Sequence, residues 1–94
     1  MENLISSIIL TKYNRANDLQ NSFRLIRTLD GFHNTDVFSI FLTTEFQNVR
    51  EEEFVYDISR DADTAKEFFT LLCKENVSAL HLREVAEDFI SSHR

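Results

Sequence analysis

His81 and Glu84 stand three residues apart, in a stretch that also carries Glu87 and Asp88. On a helix that spacing sets an imidazole beside a carboxylate. Such a pair is a start toward a metal site or an acid–base couple, and a metal site needs one or two further ligands. The ligand or metal reading therefore centres on His81, Glu84 and Asp88. Two plainer readings stand beside it. His81 is the third residue after Ser78, so its ring can bond the serine or a backbone group, or it can meet a partner. Glu87 and Asp88 are adjacent, and neighbours on a helix diverge by about 100°. They do not naturally converge on one substrate. A salt link from Arg83 to Glu87 at i, i+4 is the plainer expectation, with Asp88 reaching a donor on the sheet.

Cys73 lies near the expected C-terminal end of a helix, where the dipole disfavours a thiolate. Pairing with His33, His81 or His93 would be needed to make it a nucleophile. Ser6-Ser7 and Ser91-Ser92 lack any elbow motif. Arg24 and Arg27 form at best a weak anion site and are expected to pair with acidic groups across strands. Glu51-Glu52-Glu53 is a charge run entering a strand. It reads either as a solvated edge that discourages sheet-to-sheet pairing or as a dock for a basic peptide. The chain has a single glycine, Gly31, and no proline. That excludes a Gly-rich phosphate loop, which needs several glycines.

Ninety-four residues suffice for one domain with one core, spanning 1–94. The net charge is −6, and its distribution matters more than its size. Residues 1–44 are balanced, whereas residues 45–94 hold six basic and twelve acidic side chains. Such a surface repels phosphate backbones, so no nucleic-acid partner is expected. No apolar run approaches the roughly 20 residues of a membrane span, and no membrane partner is expected. The start, Met1-Glu2-Asn3-Leu4, has no secretion-signal character. A lone cysteine on an apolar stripe fits a reducing cytoplasm. Neither a cofactor nor a resident metal is implied.

These side chains need a scaffold, and the pattern of the chain supplies one. Leu4–Thr11, Ser22–Thr28, Val37–Thr43 and Phe54–Ile58 read as strands, rich in β-branched and aromatic residues. Phe23 and Leu25 point one way, with Arg24 and Ile26 the other. The third strand is apolar on both faces, which suits a central position. Phe54, Tyr56 and Ile58 are expected on one face of the fourth. Turns are expected at Asn14–Asp18 and Asp30–Asn34, and a loop over Glu45–Glu52. From residue 59 helix formers dominate. Asp61 caps a helix over about 62–75 whose buried stripe is Ala62, Ala65, Phe68, Phe69, Leu72 and Cys73. Asn76 ends it in the left-handed region, and Ser78 caps a second helix over about 79–92. Leu82, Val85, Ala86, Phe89 and Ile90 form the second stripe. The fold class is α+β: a four-stranded antiparallel meander, then two helices on one sheet face, ββββαα.

The segment Val55-Tyr56-Asp57-Ile58-Ser59, the acidic cap Asp61, then Val77-Ser78, His81-Leu82, Val85 and Glu87-Asp88-Phe89 resemble a family of small uncharacterised proteins, a domain of unknown function from Gram-positive, clostridia-like bacteria. The resemblance covers residues 54–90 and rests on a V-x-D-I-S-x-D segment followed by a V-S-P-x-H-L-x-D-V-V-E-D-F end. This chain departs at Ala79, where proline is usual, at Glu84 for Asp and at Ala86 for Val. The resemblance implies a bacterial cytoplasmic protein and no particular activity.

Phe32, Phe38, Phe41, Phe46 and Phe54 exceed what a one-sided sheet must bury. If both helices cover one face, Val37 and Phe41 on the other need a cover. The functional expectation is a non-catalytic protein–protein interaction module that self-associates or meets a protein partner. Val37, Phe41, Glu51, Glu52 and Glu53 are its candidate interface residues. The alternative is the ligand or metal activity centred on the His81/Glu84 helix.

Overall fold

A computed structural model describes residues 4–31 and 35–92. The element order is β1 (Leu4–Ala16), β2 (Leu19–Asp30), β3 (Thr35–Phe46), β4 (Val49–Ser59), α1 (Ala62–Lys74) and α2 (Ala79–Ser92). The strands form one antiparallel sheet in the order β1-β2-β3-β4. Both helices pack against it, so the expected α+β meander with two C-terminal helices is the observed fold.

The strands are longer than their apolar runs. β1 continues through Thr11–Ala16, and β4 begins at Val49, so Glu51–Glu53 belong to a strand and not to a loop. Ladder hydrogen bonds satisfy the backbone whatever the side chain is, and polar residues are tolerated where one face meets water. The turns shrink accordingly. Asn17-Asp18 joins β1 to β2, with Asn17 at φ 57°. Gln47-Asn48 joins β3 to β4, with φ of 49° and 68°. Two left-handed residues in a two-residue loop are the mark of a type I′ turn, whose twist matches that of the flanking strands. The expected turn at Asp30–Asn34 lies partly outside the described residues, and Phe32, His33 and His93 lie outside them.

Two irregularities set the faces. In β1, Ile8 pairs with Ile26 and Leu10 with Leu25, leaving Ile9 as an extra residue. In β4, Val55 pairs with Ile40 and Ser59 with Phe38, so Tyr56, Asp57 and Ile58 lie opposite Ser39. Asp57 is left-handed (φ 57°), and its amide donates to Ser39 Oγ at 3.1 Å. This bulge separates Ile58 from Phe54 and Tyr56: Ile58 is buried in the core, while the two aromatic residues are exposed on the opposite side.

The core lies between the sheet and the helices. Phe23 and Leu25 of β2, Phe38, Ile40 and Leu42 of β3 and Val55 and Ile58 of β4 meet Ala65, Phe68, Phe69 and Leu72 of α1. Leu82, Ala86 and Phe89 of α2 complete it. The Phe68 and Phe89 rings are 4.6 Å apart, centroid to centroid. Each large side chain removed from water here contributes about 1.5–3 kcal/mol. α1 packs on β2, β3 and β4, and α2 mainly on β4. β1 supplies no residue to this core. The molecule is thin, 44 × 31 × 18 Å, as a two-layer fold should be.

The expected caps are present in altered form. Asp61 is the N-cap of α1, accepting from the Thr64 amide at 2.8 Å and the Thr64 hydroxyl at 2.7 Å. At the other end Val77 N–H bonds Leu72 O and Asn76 N–H bonds Cys73 O, with Asn76 left-handed at φ 50°. That is a Schellman ending with asparagine in the usual glycine position. For α2, Ser78 gives its carbonyl to the His81 amide. The hydroxyl that receives the Ala79 amide, at 2.8 Å, belongs to Thr44 of β3.

Candidate functional site

The helix-free face of the sheet is the largest surface that the fold leaves open. Register assigns its rows. Thr11, Arg24, Phe41 and Phe54 run side by side across the four strands, with Tyr13, Ser22, Thr43 and Glu52 in the next row. Ile8, Ile26 and Ser39 form a third row, and Tyr56 stands beside Phe54 with their ring centroids 6.4 Å apart. Tyr13 and Tyr56 are 61% and 55% exposed, so this is an aromatic surface in contact with water. The Arg24 guanidinium lies 5.7 Å from the centre of the Phe41 ring. At a partly exposed site such a contact is worth about 0.5–1 kcal/mol, and it holds Phe41 half-buried.

Beneath that layer the face is polar. Ser22 and Thr43 face each other across β2 and β3, and their hydroxyls are buried without a hydrogen-bond partner among the described residues. Arg50 pairs with Glu52 at 3.0 Å and with Glu45 at 3.7 Å above them. A shallow cleft of about 420 Å³ opens between the two hairpin tips, lined by Arg15, Asp18, Gln20, Glu45, Phe46 and Asn48. Its charges are mixed and its side chains come from strand ends. Every buried polar residue among those described is a neutral asparagine, serine or threonine.

The expected interface residues separate. Phe41 lies on the open face as anticipated. Val37 lies there too, opposite Thr28, but it is only 2% exposed and offers no contact surface of its own. The glutamate run is divided by the pleat. Glu52 is on the open face, held by Arg50, whereas Glu53 is opposite Leu42 on the helix side and takes Arg83 Nη2 at 2.7 Å. Arg83 therefore reaches the sheet rather than Glu87. The pair is exposed and worth at most about 1 kcal/mol. Arg27 does meet an acidic neighbour, Asp36, at 3.9 Å, while Arg24 meets an aromatic ring instead.

His81, Glu84 and Asp88 are exposed on α2. No group of three His, Cys, Asp or Glu residues placed to hold a metal ion occurs among the described residues. Cys73 is half-buried, and burial pushes its thiol up from the usual value while Lys12 pulls the other way. No helix among the described residues is long and apolar enough to cross a membrane.

Sequence reasoning missed two sets of residues. The first is the exposed set of Ile8, Tyr13 and Tyr56: Tyr13 falls beyond the expected end of β1 at Thr11, and the bulge at Asp57 parts Tyr56 from Ile58, which was expected on its face. The second is a buried polar latch. Thr44 Oγ1 donates to Asn21 Oδ1 at 2.6 Å, and Asn21 Nδ2 donates to Asn76 Oδ1 at 2.8 Å. Asn14 Nδ2 donates to Cys73 O at 2.9 Å and to Asn76 Oδ1 at 3.3 Å. Its members come from three strands and the helical corner, and no local pattern links them. The only available signal was Asn21, an amide in a stretch that faces the core.

A family model described as Family of unknown function (DUF6514) matches residues 6–92. No curated protein and no solved structure matches the chain.

Proposed function

The chain belongs to this family, and on that premise we propose that it is a non-catalytic protein–protein interaction module that self-associates in a bacterial cytoplasm. One observation carries the reading: the helices cover one face of the sheet, so its aromatic reverse is left open, and β1 supplies no residue to the core although Asn14 bonds the helical corner. Exposed apolar residues scattered singly need no explanation, but a contiguous set marks an interaction surface. Phe54 and Tyr56 beside Phe41 form such a set at the β4 side, and Ile8 beside Ile26 forms a smaller one at the β1 side. The interior supports the non-catalytic part. General acids and bases are tuned by burial and charged neighbours, and among the described residues the buried polar groups are neutral amides and hydroxyls.

Sedimentation equilibrium of the purified chain tests this. The expected result is a mass that rises with concentration through the micromolar range. A chain that stays monomeric at high micromolar concentration overturns the proposal.

A further inference from the structure

The two edges of the sheet are not alike. Each edge carries a bulge, at Ile9 in β1 and at Asp57 in β4, but β4 is guarded further by Glu51, Glu52 and Glu53. Natural sheets blunt their edges in these ways, because an edge strand presents unpaired amides and carbonyls to any passing chain. β1 has no acidic residue and no proline over its 13 residues. Its outer half reads Ile5-Ser6-Ser7-Ile8-Ile9-Leu10, with Ile5 68% and Ile8 56% exposed. Ile5 and Leu10 share the helix side of the sheet with Leu29 and Leu25, and Ile8 lies on the other side with Ile26. Both faces of this segment are therefore apolar and open.

We propose that β1 pairs antiparallel with β1 of a second copy across a two-fold axis, joining two four-stranded sheets into one of eight strands. This rests on the self-association proposed above and names the surface that performs it. The occupant follows from the sequence of the edge. Set against its own reverse about Ser7, the segment places Ile5 opposite Ile9, Ser6 opposite Ile8 and Ser7 opposite Ser7. Ile5 meets Ile9 on each side of the axis, Ile8 meets the small Ser6, and no like charges meet, so the patch is compatible with itself as an isologous interface requires. The basic residues agree. Lys12 is five positions from Ser7, so the two Lys12 residues stand about 34 Å apart along the strands, several Debye lengths. A strand ladder buries less than the roughly 1,200 Å² of a standard interface, so the dimer is a weak one. The competing arrangement sets the basic β1 against the acidic β4 of the next copy. That contact is heterologous and does not close, so it yields an open chain of molecules.

The test is sedimentation equilibrium with thermal melting on the full chain and two variants. Ile5→Lys is expected to weaken the dimer at least about tenfold by putting a charge on the pairing edge. Its melting temperature at monomeric concentration should stay unchanged, because Ile5 is solvent-exposed. The double variant Ile5→Lys/Ile9→Glu should recover the dimer, since each introduced lysine then faces an introduced glutamate across the axis. A dimer indifferent to Ile5→Lys, or a double variant that stays monomeric, overturns the β1 pairing while leaving self-association intact. Open-ended polymers of the unaltered chain also overturn it, in favour of β1 against β4. A monomeric unaltered chain overturns both this and the proposed function.

Discussion

Asn76 does two jobs at once. It takes the left-handed conformation that closes α1, and its side-chain oxygen accepts from Asn14 and Asn21. Glycine would serve the first job and fail the second. Asn76→Ala should cost about 2–4 kcal/mol in urea unfolding, from left-handed strain together with unpaired buried amide donors. Asn76→Gly should cost about 1–2 kcal/mol, since only the acceptor shared by Asn14 and Asn21 is lost. Equal losses in the two variants would show that the latch contributes nothing. Neither Asn21 nor Thr44 was legible as a latch member. Their partners lie far away in the chain, and a buried asparagine in a strand looks like any other polar interruption. Val37 was misread for a related reason: apolarity marks a side chain that avoids water without saying which neighbours cover it.

At the scale of elements, the helices were the most legible part. Ala65, Phe68, Phe69 and Leu72 fall on one stripe of a 3.6-residue period, and that stripe is buried as the spacing predicts. Asp61 also acts as expected. Hydrogen bonds from the Thr64 hydroxyl and amide lower its carboxyl below the usual carboxylate range. Because the folded value lies below the unfolded one, the stability it contributes is complete above the ordinary range and lost as pH falls through the folded value. Melting temperature should therefore drop between pH about 4 and 2, and Asp61→Asn should flatten part of that drop, as asparagine caps without titrating. An unchanged acid profile in the variant would remove Asp61 from the account. Strands were less legible, because a ladder recruits any residue that lies beside its partner. Thr11–Ala16 and Val49–Glu53 carry little strand propensity of their own, yet Thr11–Ala16 pairs with Leu19–Arg24 and Val49–Glu53 with Leu42–Phe46. The bulge at Asp57 moved Ile58 to the core side, and nothing in alternation alone foretells that step.

For the whole molecule, the proposed association turns on the contrast between edges: glutamates lie on β4 and none on β1. Replacing Glu51, Glu52 and Glu53 together by threonine should turn discrete species into larger, polydisperse ones in light scattering, since a second sticky edge permits open-ended growth. Particles of unchanged size would show that the bulge alone guards β4. The α+β class and the helix-on-sheet layering were readable from the chain. The open face of the sheet was readable only in part: Phe41 and Phe54 were anticipated, whereas Tyr13 and the parting of Tyr56 from Ile58 depend on register that the residues do not announce.

The tie between the helical corner and the sheet consists of three asparagines and a threonine, none of which can gain or lose a proton near neutrality. Acid, alkali and added salt act on the rim, where Asp61, Arg50 and Arg83 make their contacts, and leave that joint as it is. The helical corner is thus fastened to the sheet by dipoles, indifferent to the ionic weather outside.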